Sequence, residues 1–575
     1  MIQELWNYIK QHKKIYLLTL VFLAIDYGVA MIPTKIVQKT INAISANELT
    51  LPRLYQLLGT LALITIISYV AQYAWIRLLY TTSSKYKHEL RMRLFRKIIK
   101  MRIPFYEKFR SGDMMTRFTN DINDVSELLG YGLMSLLFTI ATILVLIPTM
   151  FAISWKITLV AIIPFIIMGG LVVKIGTLQE VVIEENREAV ANLSNEVLEV
   201  VEGIRVTRAY GKKELGAARF QQKTAQLAQK ADKIMYYQAM YGRLSNVFIA
   251  IGTISIIGLG GYFMQQGTLQ LGDVVALQLY SLLLIDPMWM MADFILIYQS
   301  GSIAFGKLLE LLTTTDEMEP DGNAILEVPK EIRFKDYSFS YQGSAAPVLQ
   351  NLNITLKQGQ TLGIVGKTGS GKTTLVRQLL RQYPAGTGEF LVNGQPITHY
   401  QRQSVEQQMG YVPQEHVLFS RTVQANIEVG KANASQKEVD YSVAAAAFSQ
   451  DLLRMKDGYE TLVGEKGVSI SGGQKQRISI ARAFIKDPAI LILDDSLSAV
   501  DARTERIIIE NIQALREGKT NIIVTHRLSA VSHADWVIVL DEGRIVEEGT
   551  PDDLLAQKGW YYEQYERQQL EEESA

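Results

Sequence analysis

Apolar residues in the N-terminal part of the chain fall into six runs, each long enough to cross a bilayer as a helix: about Ile15 to Pro33, Leu54 to Leu79, Met134 to Ser154, Trp155 to Val173, Asn246 to Met264 and Val274 to Tyr298. Ahead of them, Leu5, Trp6, Tyr8 and Ile9 recur at helical spacing just before Lys13 and Lys14. That pattern fits either a helix lying in the membrane interface or the start of the first span. The first run is not followed by a small-residue cleavage site, so it reads as a retained span.

The segments between the runs are unequal, short after the first, third and fifth and long after the second and fourth. Between Lys85 and Arg117 there are eleven Lys or Arg against three acidic residues, whereas Gln265 to Gly272 carries no charge. The positive-inside rule therefore places the long segments, both termini and everything beyond the last span in the cytoplasm. The stretches from Lys85 to Ile103 and from Gln179 to Tyr237 are rich in Glu, Lys, Arg, Leu and Ala, and predict membrane helices that continue well into water. Each of the two long segments between spans contains one turn, at Phe109–Asp113 and at Ala209–Glu214. A polar, turn-forming stretch at 313–329 reads as a linker. Beyond it, short β-rich runs alternate with helical ones, the pattern of a mixed α/β domain. The expected organisation is a membrane domain over 1–312, the linker, and an α/β domain over 330–575.

Composition sharpens this reading only in part. Hydrophobic residues make up 48% and charged residues 20%, which fits a chain divided between lipid and water. The 58 basic and 58 acidic residues cancel, so nothing in the global charge points to nucleic acid. There is no cysteine, which excludes disulfides, iron–sulfur ligation and thiol catalysis.

The chemistry lies in the α/β part. Gly366-Lys367-Thr368-Gly369-Ser370-Gly371-Lys372-Thr373-Thr374 follows the strand Thr361–Val365 and opens a helix, the context a phosphate-binding loop requires. Its backbone N–H groups and the helix N-terminus suit phosphate; Lys372 would reach the β- and γ-phosphates and the Thr373 hydroxyl would ligate Mg²⁺. The unbroken apolar run Ile490–Leu493 reads as a strand buried on both faces that delivers Asp494 and Asp495 at its carboxyl end. Asp494 is the expected metal carboxylate, and Asp495 stands where an attacking water would be oriented. Ser471-Gly472-Gly473-Gln474, preceded by Ile470, opens a second helix with an anion-binding N-terminus. One domain has no use for two such sites, and no motif occurs twice in the chain. The serine-glycine motif is therefore expected to serve a γ-phosphate held by another subunit.

With these motifs in this order, the whole chain resembles the ATP-binding cassette exporters in which six membrane helices precede one nucleotide-binding domain. The resemblance implies the type I exporter fold, a helical transmembrane domain with long cytoplasmic extensions followed by a P-loop NTPase domain, with ATP and Mg²⁺ as ligands. It implies that Tyr341 stacks on adenine, that Gln414 contacts metal and attacking water, and that His526 contacts the γ-phosphate. It matches Gly464–Gly467 to a loop preceding the signature, and Ser498-Ala499-Val500-Asp501 to a loop crossing a dimer interface. The turns at 109–113 and 209–214 fall where the family has its coupling helices. Two cassettes sandwich two ATP molecules in this family, so one phosphate loop and one signature per chain imply a dimer.

Asp495 departs from the family, whose catalytic residue there is Glu. A side chain one methylene shorter has less reach, and the loss of such a base costs on the order of 10²- to 10⁴-fold in rate. The chain thus resembles the degenerate-site subunit of heterodimeric bacterial multidrug exporters, binding ATP slowly hydrolysed at its own loop and lending a nearly intact signature, with Ile470 where Leu is usual, to a homologous half-transporter that carries Glu. Asp26, Asp286 and Asp293 lie within predicted spans, with Trp289 and Phe294 beside the last two; carboxylates with aromatic and Met side chains suit small amphipathic cations. The expected function is ATP-driven multidrug efflux across a bacterial plasma membrane. The alternatives are a mainly regulatory subunit of a transporter dimer and a homodimeric lipid or peptide exporter.

Overall fold

The computed structural model describes residues 1–344, 346–464, 470–498 and 501–574. Glu465 to Gly467 and Ala499 to Val500, which belong to two of the loops singled out above, lie outside the described residues. The chain divides into two compact units, one comprising Met1–Lys100 and Phe109–Thr314, the other Met101–Lys108 and Thr315–Ala575.

The first unit is helical. Among the described residues, six helical stretches in it are long and apolar enough to cross a membrane: Lys13–Ser45, Leu51–Ile98, Ser111–Ile153, Trp155–Glu202, Gly216–Gln265 and Leu271–Thr313. Each contains one of the six runs read from the sequence. The helix Leu51–Ile98 has 48 residues. At 1.5 Å rise it spans roughly 70 Å, against roughly 30 Å of hydrocarbon. Its N-terminal part is apolar and its C-terminal part, from Lys85, is basic, so the polar end extends beyond the apolar layer as the composition predicts. Ser154 is extended between the third and fourth spans. Leu271–Leu283 opens with a capping box in which Gln270 and Asp273 satisfy each other's backbone N–H groups.

Three local features break the regularity read from the sequence. The last span is interrupted at Leu284, before Asp286 and Pro287, and resumes as Ile285–Thr313. The third contains two π-helical turns, Arg117–Asp121 and Leu128–Gly132. The short helix Ile103–Lys108 ends just before the first turn and Ile204–Ala209 runs into the first residue of the second, so helical structure begins upstream of the residues read as coupling elements. Ile103–Lys108 belongs by its contacts to the second unit, although in the sequence it sits between the second and third spans. There Ile103 packs on a hydrophobic core, Arg102 pairs with Glu406, and Glu107 accepts a hydrogen bond from the Tyr383 hydroxyl.

The second unit is built on a six-stranded sheet in the spatial order Arg544–Gly549, Trp536–Asp541, Thr361–Gly366, Thr520–Val524, Ile490–Asp494, Met409–Val412. All neighbouring pairs are parallel except the first. Alternate residues of each strand feed different cores: Leu491, Leu493 and Ile523 join one cluster, Ile490, Ile492 and Ile522 the other. This two-sided burial is why Ile490–Leu493 is a continuous apolar run. A second, antiparallel sheet of four strands contains Glu331–Phe339 and leads into Tyr341.

Candidate functional site

The phosphate loop leaves the buried strand Thr361–Gly366 and enters the helix Lys372–Leu379. Gly366 has φ +142°, and a Cβ there would stand 2.1 Å from the Leu540 carbonyl oxygen, so no other residue fits. Gly371, at φ +103°, is the residue before the helix. The loop curls around the Lys372 ammonium, which donates to the carbonyls of Gly366 (2.9 Å) and Lys367 (2.8 Å). Burial pulls the Lys372 pKa down, opposed by the nearby Asp495 and Asp494 carboxylates. The Ser370 hydroxyl is buried without a hydrogen-bond partner among the described residues. A buried ammonium, an unpartnered hydroxyl and a helix N-terminus converging on one loop suit a phosphate anion.

Asp494 ends its strand fully buried. The Thr373 hydroxyl donates to Asp494 Oδ1 and the Tyr411 hydroxyl to Oδ2, both at 3.3 Å. Burial raises the Asp494 pKa, and these two hydrogen bonds hold it back. Among the described residues there is no group of three or more His, Asp or Glu placed to hold a metal ion. A Mg²⁺ site here therefore has to be completed by substrate oxygens and water around Thr373 and Asp494. This agrees with the way Mg²⁺ usually binds beside nucleotide phosphates, through one or two protein carboxylates.

Asp495 adopts φ +46°, a region that Asp enters with less strain than most residues. Its N–H donates to the Val524 carbonyl (2.8 Å) and its Oδ2 accepts from Gln414 Nε2 (3.3 Å). The structure thus brings Gln414, Asp494, Asp495, Thr373 and Lys372 together. His526 follows the adjacent strand Thr520–Val524. Its pKa is lowered first by burial and then by the Lys372 charge, with Asp495 opposing, which places the imidazole in the same electrostatic neighbourhood.

Tyr341 is half-buried. Its hydroxyl shares a hydrogen bond with Thr374 Oγ1 (3.0 Å), accepts from Arg377 (3.4 Å), and its ring meets Tyr383 edge-on at 5.0 Å. This anchors the ring beside the phosphate loop. Ser471 caps the helix Gly472–Ile485 reciprocally with Gln474, whose Nε2 also reaches Asp451 (3.2 Å). Ser471 and Gly472 are exposed, so this helix N-terminus is open to an incoming group. Asp501 caps the helix Ala502–Leu515, accepting from Thr504 N (3.0 Å) and Oγ1 (2.7 Å). Tyr411 is the member of this constellation whose bond to Asp494 sequence reasoning missed. It stands three residues before Gln414, but nothing in the local pattern announces a hydrogen bond to a strand eighty residues away.

The membrane residues divide. Asp26 is buried, with both carboxylate oxygens occupied: Ser68 Oγ donates to Oδ1 (2.6 Å) and Trp75 Nε1 to Oδ2 (3.1 Å). Asp293 accepts from the Tyr131 hydroxyl (2.7 Å). Asp286 is exposed, Trp289 lies edge-on to Tyr241, and Phe294 is tilted against Tyr298. Asp286, Trp289, Asp293 and Phe294 fall on one face of their helix by spacing.

Residues 16–288 match the ABC transporter transmembrane region family and residues 349–498 the ABC transporter family. The chain is 42% identical to the probable multidrug resistance ABC transporter ATP-binding/permease protein YheI of Bacillus subtilis, over 96% of this chain and 95% of that one. It is 33% identical to the multidrug resistance-like ATP-binding protein MdlA of Escherichia coli, over 98% of this chain and 96% of that one. A solved structure of a bacterial Atm1-family ABC exporter with ATP bound superposes with a TM-score of 0.82 at 25% identity, covering 97% of this chain and 98% of the other.

Proposed function

This chain belongs to the ABC transporter family, as a multi-pass membrane protein with the type I exporter fold and an ATP-hydrolysing transport ATPase, and from that premise we propose that it is one subunit of a heterodimeric multidrug efflux pump. Its own phosphate loop binds ATP and hydrolyses it slowly, while its signature completes the competent site of a homologous partner that carries Glu at the position of Asp495. The relatives named for multidrug resistance support small amphipathic compounds as the cargo. The nucleotide-binding domain and both termini lie in the cytoplasm, in keeping with the basic segment between Lys85 and Arg117.

In this reading Lys372 and the loop from Gly366 to Thr374 hold the phosphates, Tyr341 lies against adenine, and Thr373, Asp494 and Gln414 hold Mg²⁺. The metal supplies neutralisation of the charge that develops on the transferred phosphoryl group. Asp495, steadied by Gln414, is the group nearest to orienting water, and His526 reads the γ-phosphate. Ser471 to Gln474 and Asp501 face the partner's nucleotide.

The observation that carries the proposal is Asp495 itself. It follows Asp494 at the end of its strand and is hydrogen-bonded to Gln414, which supports reading it as the water-orienting group, with a side chain one methylene shorter than Glu. The experiment is ATP turnover of the purified dimer in lipid. Asp495→Asn is expected to lower it less than about tenfold, whereas Glu→Gln at the equivalent position of the partner lowers it by about 10² or more. Equal losses from the two substitutions would sink the assignment of this chain as the slow half.

A further inference from the structure

The segment that carries His526 leaves the sheet abruptly. The last ladder bond of its strand is Thr525 N–H to the Ile364 carbonyl (3.2 Å), after which the backbone turns into the short helix Leu528–Val531. Beyond that point the peptide groups on either side of Arg527 are met by one side chain, Gln568 of the C-terminal helix Trp560–Ser574. Gln568 Nε2 donates to the His526 carbonyl (2.8 Å), and the Leu528 N–H donates to Gln568 Oε1 (2.9 Å). The two bonds fix the orientation of the amide, because a carbonyl needs the NH₂ and an N–H needs the oxygen. Gln568 thus does for residues 526–528 what a neighbouring strand does for the residues before them.

The helix that holds Gln568 is itself anchored. The Glu547 carboxylate accepts the N–H groups of Trp560 (2.5 Å) and Tyr561 (3.1 Å) at its start, and Tyr561 is buried in the same core as Leu528, Ala530 and Val531. Between the two clamped peptides, Arg527 reaches the buried Glu505 carboxylate and the Ser498 carbonyl (3.4 Å). One amide on the last helix therefore sets a backbone segment that carries His526, within electrostatic reach of Lys372 and Asp495, and Arg527, bonded to the Ser498 carbonyl after Asp495.

We propose that Gln568 is a positioning residue for His526, so that the C-terminal helix takes part in discriminating ATP from ADP at this chain's own nucleotide site. The inference rests on the reading of His526 as the γ-phosphate contact. Removing the clamp therefore weakens what depends on the γ-phosphate and leaves binding of the rest of the nucleotide unchanged, an effect that a general loss of stability does not produce.

The test uses the full-length chain in its dimer in lipid nanodiscs, photolabelled with 8-azido-ATP. Label on this chain's band is competed with ATP and, separately, with ADP, for wild type, Gln568→Met, Gln568→Ala and His526→Ala. Met keeps the length and packing of the side chain without the two hydrogen bonds. Both Gln568 variants are expected to lose about three- to tenfold in the ratio of ATP to ADP competition, the span of a hydrogen bond or two, with ADP competition and thermal midpoint at the wild-type value for Gln568→Met. The inference is overturned if His526→Ala lowers the ratio and Gln568→Met does not, or if Gln568→Met weakens ATP and ADP equally. If neither His526→Ala nor Gln568→Met changes the ratio, the reading of His526 falls and the inference falls with it.

Discussion

Asp26 and Asp293 bring the same charge into the membrane unit and meet different surroundings. Asp26 has no free carboxylate oxygen: Ser68 and the buried Trp75 take both. That arrangement is a polar staple between helices, and it argues against Asp26 as a direct contact for cargo, whereas Asp293 keeps one hydrogen-bonded oxygen and shares a helix face with the exposed Asp286 and Trp289. Asp26→Leu leaves the Trp75 indole N–H without its acceptor, at a cost of about 1–3 kcal/mol. A lowered thermal midpoint is the expected result, while Asp293→Asn, which keeps an acceptor for Tyr131, stays within about 0.5 kcal/mol of wild type and selectively slows export of a fluorescent cation from cells. Wild-type stability of Asp26→Leu would contradict the staple. His416 offers a pH test in the second unit. Burial pushes its pKa from 6.5 down to about 4, and its Nδ1 is buried without a partner among the described residues. The folded form thus binds the proton less readily than the unfolded chain, so stability is retained above pH 6.5 and lost as pH falls from there toward about 4. His416→Gln removes this contribution, and its thermal midpoint is expected to fall less steeply than that of wild type across the same interval. Parallel pH profiles of the two proteins would refute it.

The elements differ sharply in how far the sequence announces them. The six spans are legible because a bilayer demands some twenty apolar residues in a row, and the strand Ile490–Asp494 because a sheet covered on both faces demands an apolar run at every position. The phosphate loop is legible because Gly366 and Gly371 answer local backbone demands. By contrast, Ile103–Lys108 and Ile204–Ala209 have six residues each, too few to show a helical period. The π-helical turns at Arg117–Asp121 and Leu128–Gly132 also leave no local mark; the second holds Tyr131, which donates to Asp293 in another helix. The same limit explains what was missed around the nucleotide site. Tyr411, Arg527 and Gln568 act through partners that lie far away along the chain, and only the sheet order brings them together.

Two sites in a dimer give each chain two separable parts, and their mutual independence is testable within this chain alone. Lys372 belongs to the site built on its own phosphate loop. Ser471 opens a helix whose N-terminus is exposed, and in the proposed dimer it serves the site of the other subunit. In a homodimer the two sites are identical, so Lys372→Ala and Ser471→Ala both strike every site and both abolish turnover. In a heterodimer with the slow site here, Lys372→Ala removes only the slow site's contribution, whereas Ser471→Ala withdraws a hydroxyl donor from the fast one. Loss of a comparable donor to developing negative charge costs about 10²- to 10³-fold. Steady-state ATPase of the dimer in nanodiscs is therefore expected to fall far more for Ser471→Ala than for Lys372→Ala, which stays within about tenfold of wild type, a limit set by the share of turnover the short carboxylate can carry. Because Ser471 is also a helix cap, its loss costs about 1 kcal/mol of local stability. Ser471→Thr, which preserves a capping hydroxyl, separates the two effects. If it retained the cap and the thermal midpoint but Ser471→Ala and Lys372→Ala still lowered turnover equally, two equivalent sites, and hence two copies of this chain, would be the better account.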